Sequence, residues 1–508
     1  MTVQQHVPKQ NSPKENKYDP NESKYAKSAS EFRANVSRDL SNDELRSNFR
    51  GAMDYLMDKR KVALSNEDEL ETLREQCKLI KQRCLLKLPT LLEQLEQNLE
   101  ANGIRVHWAE TITQANEIIA TLIQDKNGKT VVKGKSMVSE ETSLNDYLED
   151  RDIECLESDM GEYIVQLAHE HPSHIIMPAI HQNKKQVADL FADKIEGFKH
   201  TTDVDALIGE GRRVLREKFC HADVGITGVN FAVAETGTLC LVENEGNGRM
   251  CTTVPDLHIA ITGIEKVVEF LDDVPPLLSL LTRSATGQII STYFNMISSP
   301  RKDGEKDGPK EVHLVLLDNG RSQAFADEEM RQTLQCIRCG ACMNHCPVYT
   351  RIGGHAYGTV YPGPIGKIVS PHMLGLEATN SLPTASSLCG ACGEVCPVKI
   401  PIPKLLLRLR SESNKPANTD GHKQIMKGEG SGRKKVEASI WFVWQLMHKH
   451  AFIYSSSMWF ATRLRKLMPA KIGVWTSVRS APKLAPKTLH ERVKAHQAQN
   501  KQSKKQQS

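Results

Sequence analysis

The sequence predicts an α/β domain built on a parallel sheet, with helices before it and, after it, a small cysteine-rich domain and a helical C-terminal segment. Three observations carry this. From residue 104 to 322, short apolar runs alternate with helical patterns, as in βαβ units, whose right-handed crossovers leave the strands parallel. Seven of the thirteen cysteines fall between 336 and 396. Four of the five tryptophans fall between 441 and 475.

The elements follow in order. Residues 1–35 are rich in Lys, Asn, Ser and Gln and read as a disordered arm. Helices are expected over 36–103, where Leu70, Leu73, Cys77, Ile80 and Cys84 form one apolar stripe. Pro89 breaks or restarts the helix, and Asn102-Gly103 ends it. The α/β domain over 104–322 opens with strand 104–108, helix 111–123, strand 130–133, helix 140–148 and strand 152–156. A strand at 174–177 comes next, then helices near 182–197 and 204–219. Glycine-rich short strands fill 223–263, a helix covers about 264–283, and strands at 288–297 and 312–318 are placed to pair across a polar loop. The cysteine domain over 325–411 has too few apolar residues between its cysteines to build a core alone. A Lys/Gly/Ser-rich linker over 412–434 leads to the tryptophan-rich helical segment, 435–480, and a basic disordered tail, 481–508.

Composition narrows the class. The chain has 508 residues, of which 39% are hydrophobic, so it can bury an ordinary core. Its net charge of +4 is uneven: from Arg463 onward, twelve Lys/Arg face one acid, Glu491, giving +11 there and −7 elsewhere. No nucleic-acid-reading fold accompanies the basic tail, so no nucleic-acid role is expected. No apolar run reaches 18 residues and the N-terminus lacks an apolar signal core, which points to a cytoplasmic protein. There, clustered thiols point to metal or redox work, not to a disulfide scaffold.

The first cysteine motif is Cys336-x2-Cys339-x2-Cys342-x3-Cys346-Pro347. This is the bacterial ferredoxin run, whose fourth cysteine ligates the other cluster. The second is Cys389-x2-Cys392-x3-Cys396-Pro397. Crossed ligation assigns Cys336, Cys339, Cys342 and Cys396 to cluster 1, and Cys346, Cys389 and Cys392 to cluster 2. Crossing ties distant segments together, so cluster assembly is also folding energy. The second motif is one thiol short, with Ser386 where a full repeat has cysteine. Three readings stand: a [3Fe-4S] centre, a [4Fe-4S] centre with an oxygen, water or substrate on its fourth iron, or recruitment of Cys220, Cys240 or Cys251. Zinc, which takes four ligands in pairs, does not fit seven cysteines in this pattern.

Several longer blocks carry a resemblance: VKGKSMVSEE at 132–141, SDMGEYIVQL at 158–167, PSHIIMPAIH at 172–181, ADVGITGVNFAVAETGTLCLVENEGNGRM at 222–250, DGPKEVHLVLLDNGRS at 307–322, GGHAYGTVYPGPIG at 353–366 and SSLCGACGEVCPVKIP at 386–401. With them the chain resembles the LutB/YkgF (LldF) family of lactate-utilisation iron–sulfur proteins, from about residue 40 to 480. The resemblance implies a LUD domain related in fold to the NagB, ribose-isomerase and CoA-transferase group, followed by an α-helical ferredoxin-type domain with two [4Fe-4S] clusters. It implies the same seven ligands with the same crossing. It also implies work with a CCG-domain iron–sulfur protein and a second LUD-domain protein, oxidising L-lactate to pyruvate without a nicotinamide cofactor. The expected function is therefore electron transfer within that complex, to an acceptor the sequence does not name. Two other classes stay open: an acyl- or CoA-transferring enzyme with structural clusters, and a ferredoxin-like module of another dehydrogenase.

Other residues carry a sharp and a plain reading each. Glu235, in a Glu-Thr-Gly-Thr turn, is a catalytic candidate by analogy with CoA-transferases, or a turn carboxylate. Lys133, Lys135, Ser136 and Arg249 bind an anion, or form ordinary ion pairs. His169, His171, His174 and His181 bind metal or relay protons, or simply hydrogen-bond. Gly353-Gly354-His355 and Tyr361-Pro362-Gly363-Pro364 shape the loop around the clusters, or His355 or Tyr357 contacts substrate directly. Trp441, Trp444, Trp459 and Trp475 dock a partner, pack internally or touch a membrane surface peripherally.

Overall fold

The computed structural model describes residues 24–414, 435–467, 469 and 483–506. The chain divides into two units, Met1–Ser431 and Gly432–Ser508.

The first unit is organised by two sheets. Its strands are β1 (Arg105–Ala109), β2 (Thr130–Lys133), β3 (Glu154–Glu157), β4 (Val224–Gly228), β5 (Phe231–Val233), β6 (Thr238–Glu243), β7 (Leu257–Gly263), β8 (Val267–Val268), β9 (Tyr293–Ile297) and β10 (Glu311–Leu317). The main sheet runs β1-β10-β7-β4-β2-β3, and every neighbouring pair is parallel. All seven residues of β7 are buried, as befits a strand covered on both faces. Helix Ile112–Asp125 packs Ala115, Ile119 and Ile123 on one face. Tyr163, Phe191, Leu215 and Phe219, from three later helices, cover the other. The smaller sheet runs β8-β5-β6-β9, with β5–β6 and β6–β9 antiparallel.

The two strands expected to pair across the polar loop separate. The half-buried β9 joins the edge of the small sheet, while the almost wholly buried β10 enters the main sheet between β1 and β7. Apolarity on both faces suits a central strand; a mixed surface suits an edge. The expected helix at 264–283 begins instead at Val274, with Pro275-Pro276 in its first turn, and is preceded by β8. Residues 174–177 are not a strand. His174 Nδ1 accepts the backbone N–H of Ile176 and Met177 at 3.0 and 3.2 Å, which curls the chain into a loop. The single helix expected at 140–148 is two, Met137–Glu141 and Leu144–Glu149.

Ahead of the sheets lie helices Asp43–Ala63, Glu67–Leu86 and Leu88–Ala101, the first two capped by Asn42 and Asn66. Pro89 sits in the first turn of the third, where its missing N–H costs nothing. At its end Gly103 takes φ +89° and the Ile104 N–H reaches Leu99 O. The disordered arm expected over 1–35 is corrected from residue 24 on: Lys24–Ser30 and Phe32–Leu40 are helices. Tyr25, Ala29 and Phe32 are buried, with the Phe32 ring 5.7 Å from that of Tyr357. Residues 1–23 of that arm lie outside the described residues.

The cysteine domain shares the core of its neighbours. One cluster joins Phe49, Met53, Leu95 and Leu99 of the N-terminal helices to Val233 of the small sheet and to Met343, Tyr349, Leu405 and Leu409. The approach is close: a β-carbon on Gly354 would lie 1.8 Å from Ser173 O. Helix Ile402–Ser413 takes up the first two residues of the expected linker; the part of that linker from residue 415 lies outside the described residues.

The second unit holds helices Lys435–Lys449, Ala451–Arg463 and Leu489–Gln506. The last replaces the expected disorder over much of 481–508. Thr488 and Glu491 bond each other's backbone at its start, and Arg463 pairs with Glu491 at 2.9 Å. Trp441, Trp444, Trp459, Phe442 and Phe452 are exposed on the other two helices. Trp475 lies outside the described residues. Among the described residues no helix is long and apolar enough to cross a membrane.

Candidate metal centre

The two cysteine motifs build the same local structure. Cys-Gly-Ala-Cys occurs at 339–342 and again at 389–392. In both, the glycine after the first cysteine takes the left-handed conformation, Gly340 at φ +84° and Gly390 at φ +93°, which glycine adopts without steric cost. The residue before that cysteine is also left-handed: Arg338 at +62° and Leu388 at +54°. A short helix follows each, Ala341–Asn344 and Ala391–Glu394.

In both motifs backbone N–H groups point at sulfur. Arg338 N lies 3.3 Å from Cys336 Sγ, Tyr349 N 3.5 Å from Cys346 Sγ and Ile400 N 3.3 Å from Cys396 Sγ. Such bonds favour thiolate and tune a cluster bound to it.

Electrostatic proximity sorts the thiols into two sets. Burial pushes the Cys342 thiol well up, and Cys339, Cys336 and Cys396 raise it further. Cys396 is pushed to about 12 by burial, with Cys336 adding to it. Burial takes Cys392 to about 11, and there the added neighbours are Cys346 and Cys389. Cys346, from the first motif, thus stands with the second, and Cys396, from the second, with the first. Burial disfavours the thiolate, and the positive charge of a bound metal would offset that penalty.

Cations surround both sets. Lys367, fully buried, donates to Ala385 O and sits 3.9 Å from Cys346 Sγ. Arg338 stacks on Tyr361 at 4.2 Å and pairs with Glu265 at 3.3 Å. Glu265 in turn binds Arg321, whose other partner, Glu141, is held at 2.7 Å and also takes the Tyr361 hydroxyl. Burial opposes the Glu265 charge, but Arg321, Arg338 and Lys266 outweigh it and hold the carboxyl down at about 2. Soft thiols, N–H donors and buried cations form the donor set that anionic iron–sulfur clusters need. Among the described residues no three His, Cys, Asp or Glu side chains could hold one metal ion. A cube differs, because each thiolate takes its own iron and the sulfurs surround a volume.

A cavity of about 370 Å³ adjoins Cys339. It opens at the carboxyl ends of β2 and β4, where Gly134 and Gly228 keep the walls thin. From β2 the chain turns to β3 on one side, and from β4 toward β7 on the other, so this is the switch point where open α/β sheets bind ligands. Lys135, Ser136, Glu243, Lys266 and Arg338 line it. Lys135 donates to Ile176 O at 2.9 Å and faces Glu162 at 3.6 Å; Ser136 caps the helix Met137–Glu141. Lys266 is 7% exposed and makes no hydrogen bond or close ion pair among the described residues. Burial and then Arg338 lower it to about 8.

The remaining sequence candidates disperse. Lys133 is turned inward, paired with Glu157 at 2.6 Å and Glu140 at 3.0 Å, which corrects its reading as an anion ligand. Arg249 is exposed and does not line the cavity. Glu235 lies on an exposed turn, its carboxylate accepting Leu271 N at 2.9 Å, and is likewise not a lining residue. His174 bonds Asn344, His181 bonds Glu170, and His171 O accepts from His355; His169 borders a separate acidic hollow. Tyr357 is buried against Phe32, Tyr349 and Lys367. Cys220 is exposed, while Cys240 and Cys251 are buried in β6 and beside Ser158, and none of them is among the groups that shift Cys392. Sequence reasoning missed Lys266, Lys367, Arg338 and Arg74, since a lysine or arginine carries no spacing signal before the chain folds around it.

The fold and the cysteine site define a class: an iron–sulfur protein in which a ferredoxin-type domain is fused to an α/β domain. Family models match in three stretches: LUD domain over residues 92–317, 4Fe-4S dicluster domain over 332–400, and lactate utilisation protein B, C-terminal, over 408–498. Lactate utilization protein B of Bacillus subtilis is 45% identical over 383 residues, covering 75% of this chain and 79% of the relative. Its namesake in a Geobacillus strain is 41% identical, covering 92% and 97%. An uncharacterized electron transport protein, YkgF, of Escherichia coli is 38% identical, covering 94% and 99%. The chain belongs to the lactate utilization protein B family and is an iron–sulfur protein.

Proposed function

We propose that this chain is the electron-transfer subunit of an NAD-independent complex that oxidises L-lactate to pyruvate. The supporting observation is the threading of seven thiols into two adjoining sets within one core, with a cavity against Cys339. The relatives' names, lactate utilization protein B and electron transport protein, agree with it. Bound clusters supply one-electron chemistry. The residues of this chain bury five of the seven thiols, leaving Cys389 exposed, aim N–H groups at sulfur and place Lys367, Arg338 and Lys266 as counter-charges. Cluster 1 takes Cys336, Cys339, Cys342 and Cys396, and cluster 2 takes Cys346, Cys389 and Cys392. The cavity is the place on this chain for the organic acid or its product, with Lys266 as the carboxylate partner.

The partners are a CCG-domain iron–sulfur protein and a second LUD-domain protein. The exposed tryptophans and nearby lysines and arginines of the C-terminal unit suit peripheral contact with an anionic lipid surface. Flotation with anionic vesicles tests that part; equal recovery with neutral vesicles refutes it. The central test is low-temperature EPR of the anaerobic complex with and without L-lactate. Reduction of both clusters by L-lactate is expected. Clusters that stay oxidised with L-lactate, yet reduce with dithionite, would overturn the reading.

A further inference from the structure

We infer that Ser386 Oγ is the eighth protein donor, bound to the iron of cluster 2 that Cys346, Cys389 and Cys392 leave without a protein ligand. The case rests on the match between Ser386 and Cys336. Each stands three residues before the first cysteine of a Cys-Gly-Ala-Cys turn. Each side-chain atom accepts the N–H two residues on: Arg338 N to Cys336 Sγ at 3.3 Å, Leu388 N to Ser386 Oγ at 3.2 Å. In each, the donor residue is left-handed, at φ +62° and +54°. A non-glycine residue reaches that conformation only at a steric cost, so its recurrence at both places marks one backbone device used twice. Cys336 is a cluster-1 ligand in the crossed assignment.

The surroundings place Ser386 at the second thiol set. Lys367 binds the carbonyl of the preceding residue, Ala385, and stands 3.9 Å from Cys346 Sγ. Arg410 Nη2 binds Ser386 O at 2.9 Å and its Nε binds Pro383 O at 2.8 Å, pinning the segment from the other side. Of the cysteines open to recruitment, Cys220 is exposed on the helix Val204–His221, Cys240 lies in β6 and Cys251 sits beside Ser158. Ligation breaks the Ser386 Oγ–H bond, releases the proton to solvent and forms one Fe–Oγ bond; no electron moves. An alkoxide is a harder donor than thiolate, so cluster 2 would differ from cluster 1 in spectrum and potential. This inference rests on the crossed ligand assignment and is independent of which organic acid the complex oxidises.

The test uses the full chain, purified anaerobically with its clusters, and reads iron content, EPR and Mössbauer spectra. Ser386→Ala is expected to lose one iron per chain and to gain a [3Fe-4S] signal in the oxidised state. Ser386→Cys, which the geometry of Cys336 accommodates, is expected to keep the iron count while the cluster-2 g-values and midpoint potential move. Cys336→Ser in a separate sample is expected to perturb only the other cluster, which checks the crossed assignment on its own. Unchanged iron and cluster-2 spectra in Ser386→Ala, or Ser386→Cys spectra identical to those of the native chain, would overturn the inference. A native chain that already carries a [3Fe-4S] centre would do the same.

Discussion

Arg74 sets two nitrogens on the carbonyl oxygen of Cys396, Nε at 3.1 Å and Nη2 at 2.9 Å. The helix Glu67–Leu86 thereby holds the end of the second cysteine motif from a distant part of the chain. The arginine is itself steadied by Glu71 at 2.7 Å and is 13% exposed. Hydrogen bonds to a charged donor contribute about 2 kcal/mol, so Arg74→Ala should lower stability by about that amount. Thermal unfolding of the anaerobic protein measures it, and faster bleaching of the cluster absorbance in air should accompany it.

Lys367 is a buried positive charge beside Cys346. Reduction adds negative charge to a cluster, and a nearby cation stabilises that state. Lys367→Met should therefore lower the potential of cluster 2, by on the order of 50–100 mV, as expected for removing one charge at an intermediate dielectric. An EPR-monitored redox titration checks both the direction and its confinement to one cluster. A potential that stays put would mean that Lys367 serves only to hold Ala385.

Glu265 should govern part of the acid limb of stability. Its carboxyl is held at about 2 in the folded chain, against about 4.3 when unfolded. A depressed folded value gives stability that is complete above the unfolded pKa and is lost as pH falls from there toward about 2. Glu265→Gln leaves Arg321 short of one buried partner and should cost about 3–5 kcal/mol at neutral pH. It should also flatten stability between pH 4.5 and 2, roughly the span between the two pKa values. Chemical denaturation across that pH range reads both effects.

Lys266 tests the cavity. If the acid's carboxylate seats on this ammonium, Lys266→Met should raise the KM for L-lactate of the assembled complex at least about tenfold, the effect of about 1.4 kcal/mol. Cluster content should not change. Thr282→Trp, from the half-buried wall of the same cavity, should weaken binding without altering charge. Unchanged KM in both variants would move the substrate site to another subunit.

Much of the fold is legible in the sequence. β2 was read at its observed bounds, and β1 and β3 to within two residues, because alternating apolar runs and turn residues are local signals. The legible part of the candidate site was its thiols, since ligand spacing within a tight loop is written in consecutive residues. His174–Met177 failed because a side chain, His174, captured the backbone donors that a strand would have used. The helical residues 24–35 are illegible in the sequence because a polar composition outweighs Tyr25 and Phe32, two aromatics whose ring partners, His171 and Tyr357, lie in the α/β and cysteine domains.

By itself, then, the sequence determined the parallel α/β class, the two cysteine motifs and the missing eighth thiol. Each is a matter of residue type and short-range spacing. Only the tertiary structure decided that β10 enters the main sheet and β9 the small one, since that choice depends on how much of each strand is buried. It alone supplied the core of the cysteine domain from helices more than two hundred residues earlier in the chain. It also placed Lys367, Lys266 and Arg74 around the thiols and gave Ser386 the same turn as Cys336. Charges and hydrogen bonds act through space over a few ångströms, and no pattern along the chain records which distant residues will come that close.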